Sequence, residues 1–303
     1  MAGVIATGNH PKALWPGIKA WWGRVYDEHK TEYTDLFDME SSKQNYEEDV
    51  QVTGFGLAPV KPQGTGVTYD SESQGFTTRY THVVYALGYI CTREELEDNL
   101  YAVVSKRRAG ALAFSMRQTK ENVGAQVYNR HATAGYTGGD GSVLLVATHS
   151  TTSGSQSNIL APAADISEAA IEDMLIQIMG ATNDRGLKIS LMPRSLHIPR
   201  QLWYEANRIM KSTLTPDTAN NAVNVIAATN AFPGGIKMNH YFTDTDAWFV
   251  RTNAPRGMIG YQRRPVEFTQ DNDFDTENAK AKNTERYSFG WTDWRALYGS
   301  VGA

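Results

Sequence analysis

Seven histidines, His10, His29, His82, His131, His149, His197 and His240, are the side chains best suited to bind a metal or move a proton near neutral pH. They are dispersed, and no His-X-His or His-Glu-X-X-His spacing occurs, so the usual zinc signatures are missing. The chain has neither a Gly-X4-Gly-Lys-Ser/Thr phosphate loop nor a Gly-X-Ser-X-Gly nucleophile turn. Gly54-Phe55-Gly56 lacks the third glycine and the following helix that a dinucleotide-binding turn requires. Asp271-Asn272-Asp273-Phe274-Asp275 imitates the start of a calcium loop. Thr276 then stands where glycine is needed and Lys282 where a bidentate glutamate is needed, so the better reading is a solvated acidic loop.

Cys91 precedes the clearest helix, where the helix N-terminus would lower its pKa. No base adjoins it, and a lone cysteine is usually a small buried hydrophobe. As the only cysteine it excludes an internal disulfide and any multi-cysteine metal site. Lys106-Arg107-Arg108 has the charge to touch phosphate, but a solvated helix face or an intersubunit ion pair is favoured, because 29 basic residues against 33 acidic leave no cationic surplus. The same balance excludes a protein that coats nucleic acid. Carboxylates are too many and too scattered for one acid–base pair to stand out. The expectation is a chain with no catalytic, cofactor-binding or metal site.

The 303 residues are about 41% hydrophobic and 20% charged, enough to bury a sizeable core. No apolar run approaches the ~18 residues of a membrane helix, and the N-terminus lacks the basic start and apolar stretch of a secretory signal. A soluble protein of cytosolic style, with no membrane partner, is therefore expected. Fifteen Tyr, 10 Phe, 7 Trp and 26 Gly suit a β-rich, loop-rich architecture with large contact surfaces.

Residues 1–49 hold no consistent period; a short helix is expected around 15–30, with Pro16 near its first turn. Trp15, Trp21, Trp22 and Tyr26 on this arm either cap the main domain or dock on a neighbouring subunit. From Val50 to Tyr85, β-branched and aromatic residues flank turn material at 54–66. As one hairpin its arms of ~17 residues would project ~55 Å, too far to pack on their own domain. Thr92-Arg93-Glu94-Glu95 is a capping box, and no proline interrupts the chain from Arg93 to about Tyr128. Leu96, Leu100, Val103 and Val104 share one face; Leu112, Met116, Val123 and Val127 continue a similar stripe. Unbroken, the helix would span ~54 Å. Gly110 and Gly124, each roughly 1 kcal/mol worse than Ala, are the places where it would break.

Further on, strands are expected at 143–147, 187–192 (halted by Pro193), 223–227, 237–242, 247–252, 258–262, 265–268 and 286–291. Helices are expected from Asp165 or Ser167 and from Pro199 to Ser212. Residues 271–284 read as a charged loop. An oversized hairpin, a long helix and an aromatic arm without an active site all point to assembly.

In this order, those features resemble the major capsid proteins of tailed double-stranded DNA bacteriophages, which share the Hong Kong 97 fold. The resemblance covers nearly the whole chain. It runs through Tyr46-Glu47-Glu48-Asp49-Val50, Tyr80-Thr81-His82 with Tyr85-Ala86-Leu87-Gly88, Lys106-Arg107-Arg108 and Ala113-Phe114-Ser115-Met116-Arg117-Gln118-Thr119-Lys120-Glu121. Its most specific part is Arg286-Tyr287-Ser288-Phe289-Gly290-Trp291-Thr292-Asp293-Trp294-Arg295 with Tyr298-Gly299-Ser300.

The resemblance implies an α+β chain of the Hong Kong 97 type. Residues 1–49 would form an N-terminal arm and 50–88 an extended β-hairpin loop over the adjacent subunit. Residues 89–131 and 261–290 would form a peripheral domain with its spine helix, and 132–260 and 291–303 an axial domain. It implies a non-enzymatic head protein that assembles with itself into pentamers and hexamers of an icosahedral shell around double-stranded DNA. Implied partners are a portal protein, a decoration protein and weakly contacted packaged DNA. The protein would assemble in the bacterial host cytoplasm and reside in the virion. Because the capsid-like part starts within a few tens of residues of Met1, a separate scaffolding protein is expected. Lys61 lies near the expected loop tip, where some relatives crosslink Lys to Asn, but no activating acid is identifiable here. Two rivals remain: a cellular nanocompartment shell of the same fold, and a β-rich carbohydrate-active protein with aromatics along one cleft.

Overall fold

Two four-stranded sheets, joined by one long helix, organise the chain. The computed structural model describes residues 22–24, 26–27, 30–98, 101–214, 223–273 and 276–303, with the side chains of 96–98 and 101–105 excepted. In the N-terminal half the elements are α1 (Tyr33–Leu36), β1 (Asp38–Ser41), β2 (Tyr46–Val52), β3 (Gln74–Thr81), β4 (Val83–Cys91), α2 (Arg93–Asp98) and α3 (Tyr101–Asn129). There follow β5 (His149–Thr151), β6 (Gly154–Gln156), α4 (Glu168–Met179), β7 (Pro193–Pro199), α5 (Trp203–Lys211), α6 (Val225–Ala228), β8 (Ile236–Asn239) and β9 (Trp248–Thr252). The chain ends with β10 (Met258–Asn272), β11 (Ala279–Trp291) and β12 (Leu297–Ser300).

The first sheet has the order β1-β10-β11-β4 and is built on the long hairpin of β10 and β11. The second has the order β12-β9-β7-β8, so the chain crosses from one sheet to the other between β11 and β12. The 29 residues of α3 run without interruption through Gly110 and Gly124 and span about 44 Å. Ala109, Leu112, Ala113 and Met116 bury one stretch of it against Phe268 of β10 and Ala281 of β11. A Cβ on Gly124 would stand 3.2 Å from the Cβ of Tyr33. The glycine that weakens the helix locally thus lets α1 cross close to it, and the packing offsets the propensity cost.

Trp22 and Tyr26 are buried in the same cluster, with ring centroids 5.2 Å apart and Trp22 stacked on Phe268 at 5.6 Å. Of the two readings of the aromatic arm, these two residues follow the first and cap their own domain. Trp15, Pro16 and Trp21 lie outside the described residues, as do Leu100 and the side chains of Leu96, Val103 and Val104. The second core lies between α4 and the second sheet: Ile171, Met174, Leu175 and Ile178 face Leu196, Ile198, Trp248 and Val250. Ser167 starts α4 by accepting the Ala170 N–H at 3.2 Å. A third cluster, with Tyr128, Leu144, Leu145, Phe249 and Met258, joins the two sheets.

Several expected elements differ. The extended chain at 76–85 is two strands that part at His82, β3 pairing with β2 and β4 with β11. Residues 143–147 form no strand, and 187–192 make only an isolated bridge at Lys188; the strand begins at Pro193 instead of ending there. Where a strand was expected at 223–227, Asn224 caps α6 by accepting the Ala227 N–H. The separate strands 258–262 and 265–268 are one, and the charged loop at 271–284 is mostly the outer ladder of β10 and β11.

Candidate assembly surface

Alternation along β2 leaves Tyr46, Val50 and Val52 exposed, and the chain beyond it has no regular structure from 53 to 73. Two hydroxyls close the throat of this loop: Thr53 donates N–H to Ser73 O at 3.1 Å, and their side-chain oxygens lie 3.2 Å apart. Past the throat, Leu57, Val60 and Tyr69 are 82%, 94% and 93% exposed, and Phe55 and Val67 are also uncovered. At about 25 cal/mol per Å² of apolar surface, water exposure of so many large side chains is costly unless another surface covers them. Lys61 is exposed, and among the described residues no carboxylate pairs with it.

The root of the hairpin is packed and hydrogen-bonded by contrast. Tyr80 is buried, its ring edge-on to Tyr261 at 5.0 Å, and its hydroxyl lies 2.7 Å from that of Thr292. Asp49 accepts from Arg256 at 2.7 Å, from Thr292 at 2.9 Å and from the Tyr261 hydroxyl at 3.3 Å. Burial, reinforced by the Asp49 charge, pushes the Tyr261 phenol up to about 12, so it remains a donor at neutral pH. Gly139 presses its backbone on β3; a Cβ there would meet Thr77 O at 2.9 Å. On the other flank Gln51 donates to Asp184 at 2.7 Å, and Arg185 pairs with Asp70 at 3.4 Å. A firm root thus carries an apolar, uncovered end.

Among the described residues no three His, Cys, Asp or Glu side chains come together as a metal site, although His149 lies 2.6 Å from Asp140 and His197 2.8 Å from Ser195 inside the core. Cys91 is buried; its thiol donates to Glu95 at 3.1 Å and accepts from Arg108 at 3.1 Å. Burial, with Glu95 beside it, pushes that thiol up, which opposes nucleophilic use. The Thr92 hydroxyl accepts the Glu95 N–H at 3.4 Å, as the capping box requires. The Glu95 carboxylate instead pairs with Arg108, which thereby leaves the Lys106-Arg107-Arg108 run for an intrachain ion pair. Asp271 and Asn272 lie in β10 and Asp273 pairs with Lys280 at 2.6 Å; Phe274 and Asp275 are outside the described residues.

One buried cluster was not visible in the sequence. Lys120 of α3 reaches Glu285 of β11 at 2.6 Å, both being almost fully buried, and also donates to Gln262 at 2.5 Å. The Tyr26 hydroxyl bonds Glu285, and the rings of Tyr33 and Tyr287 flank the ammonium at 4.8 and 5.2 Å. Its members are 26, 33, 120, 262, 285 and 287, drawn from separate stretches of chain that no spacing rule unites. The cluster pins the long helix to the first sheet and has no open face for a substrate.

A family model described as phage capsid protein matches residues 75–300. The chain belongs to that family. As a phage capsid protein it is a non-enzymatic structural subunit that self-assembles into a shell, and its place is the virion capsid. Solved structures agree on the α+β, Hong Kong 97-type fold. The virus-like particle from Pyrococcus furiosus matches with TM-score 0.55 at 11% identity, over 94% of this chain and 98% of that one. The capsid of the Myoviridae phage XM1 matches with TM-score 0.51 at 12% identity over the full length of both chains. A structure from Mycobacterium phage Che8 matches with TM-score 0.52 at 12% identity, over 90% of this chain and 93% of that one. No curated protein matches the sequence.

Proposed function

We propose that this capsid protein forms pentamers and hexamers of an icosahedral shell that encloses packaged double-stranded DNA, and that its extended loop lies across the adjacent subunit. The observation that carries this reading is the loop itself: a run of uncovered apolar side chains from Phe55 to Tyr69 on a root locked by Tyr80, Asp49 and Gly139. Such a projection gains stability only when a second subunit removes it from water. The first sheet with α3 would serve as the peripheral domain and the second sheet as the axial domain. There Tyr204, Ile176 and Val223 are exposed and available for contacts around the capsomer centre. Near-neutral charge suits a wall that contains DNA without gripping it. A scaffolding protein, a portal and a decoration protein belong to the same proposal.

The similarity to the Pyrococcus furiosus virus-like particle keeps a nanocompartment shell of the same fold as the second reading. Sedimentation of the protein expressed in infected cells and alone, followed by nuclease treatment and analysis of the protected content, separates the two. Fast-sedimenting particles that protect double-stranded DNA are the expected result. Particles that protect only protein cargo favour the second reading, and a slow monomer under every condition contradicts both.

A further inference from the structure

Beside the hairpin root an open cavity of about 390 Å³ lies between α3 and the first sheet. Tyr85, Val127, Phe289 and Trp291 give it an aromatic and apolar wall, and Arg130 and Tyr136 stand at its margin. The Arg130 guanidinium covers the Tyr136 ring at 4.2 Å, and among the described residues no carboxylate pairs with it. The cavity is thus shaped for an aromatic side chain with an acidic neighbour: ring against rings, and an anion for the unpaired cation.

The chain itself carries such a segment. Thr68-Tyr69-Asp70-Ser71-Glu72 has one aromatic, two acids and no base. Tyr69 is 93% exposed, so it does not occupy the cavity of its own subunit. Asp70 is engaged by the Gly56 N–H and by Arg185, whereas Glu72 has no ion-pair partner among the described residues. The loop's other aromatic, Phe55, sits between two glycines and brings no charge. We propose that Tyr69 of a second copy of this chain inserts into the cavity beside Trp291, with Glu72 of that copy pairing with Arg130.

This rests on the shell reading and specifies the loop's docking site on its neighbour. A tyrosine is well matched to a pocket with an apolar wall and a polar margin, and a central aromatic anchor typically dominates such an interface. Removing the Tyr69 ring should raise the protein concentration at which shells appear by roughly ten-fold or more. The charge pair sets partner and register more than affinity.

The test is a charge exchange, read by sedimentation under conditions where the unaltered protein forms shells. Glu72→Arg and Arg130→Glu should each reduce assembly while far-ultraviolet circular dichroism and melting stay unchanged, and the double variant should restore it. In parallel, a photo-crosslinking benzophenone residue at position 69, in a mixture of isotope-labelled and unlabelled subunits, should give inter-chain crosslinks to 123–137 or 285–291. Normal assembly of Arg130→Glu and Tyr69→Ala, failure of the double variant to recover, or crosslinks elsewhere would overturn the docking site and leave the shell reading standing. Absence of shells from the unaltered protein would overturn both.

Discussion

Lys120 and Glu285 show what a single residue contributes. Each is taken out of water, and their mutual attraction repays that only because Gln262 and Tyr26 satisfy the remaining hydrogen-bonding capacity. Lys120→Met leaves Glu285 buried without a cation and is expected to destabilise the subunit by about 3–5 kcal/mol in denaturant melts. Lys120→Met with Glu285→Leu removes both charges and should be much milder. Equal loss in the single and double variants would mean that the pair contributes through shape alone. The geometry of Arg108 carries the same lesson at lower stakes. Read as a sequence, it belongs to a basic run; in the fold its partner is Glu95, one helix away.

Among elements, the loop is the one whose removal should leave the rest intact. Residues 54–72 contribute no buried apolar side chain, and Thr53 and Ser73 already bring the ends together. Replacing 54–72 with a short Gly-Ser turn is expected to keep the melting temperature within a few degrees and to abolish shells in sedimentation. Extending the deletion to Tyr80 would instead strip a buried ring from Tyr261 and Gly290. Loss of the fold in the short replacement would contradict the loop's role as an assembly element. Legibility followed local signals. Ser167, the periodic face of α4 and the hydroxyl half of the cap at Thr92 were readable because cap and period lie within one turn, whereas the Glu95 half was not, because its partner Arg108 lies on another helix. Val223-Asn224-Val225-Ile226 was misread because β-branched residues outweighed Asn224, which is the cap of α6. Leu144 and Leu145 are buried side by side in an irregular segment, since an apolar run states burial and not the partner that provides it. Residues 187–192 do alternate, but no neighbouring strand completes the ladder. The outer ends of β10 and β11 read as loop because their exposed face carries Thr269, Asp271, Lys280 and Lys282, while the buried face of β11 offers only the small Ala281 and the polar Asn283. Of the assembly surface, the place of the hairpin was legible but its ~17-residue arms were not, since β2 and β3 have 7 and 8 residues and 53–73 is irregular; the cavity was not legible, because Tyr85, Val127 and Trp291 meet only in three dimensions.

At the scale of the whole molecule, the buried histidines tie stability to pH. Burial is the first cause that depresses the imidazoles of His82, His131 and His197, and His197 is held well below 6.5. A group whose folded-state pKa is depressed binds more protons in the unfolded chain, so stability is full above 6.5 and is lost as pH falls towards the folded-state values. Glu121, whose carboxyl burial pushes up, acts in the opposite sense and offsets part of this. The subunit's melting temperature should therefore decline between about pH 7.5 and pH 5.5, and His197→Gln should flatten the decline. A flat profile in the unaltered protein would contradict the neutral, buried state of these rings. On the function proposed above, the subunit is complete only in a shell where each loop rests on its neighbour. Electron-microscopic reconstruction of the sedimented particles decides whether it does. Closed particles with five-fold and six-fold capsomers, and density for residues 54–72 on the adjacent subunit, are expected. Particles with that segment free of any neighbour, or a monodisperse monomer in every preparation, would contradict that function.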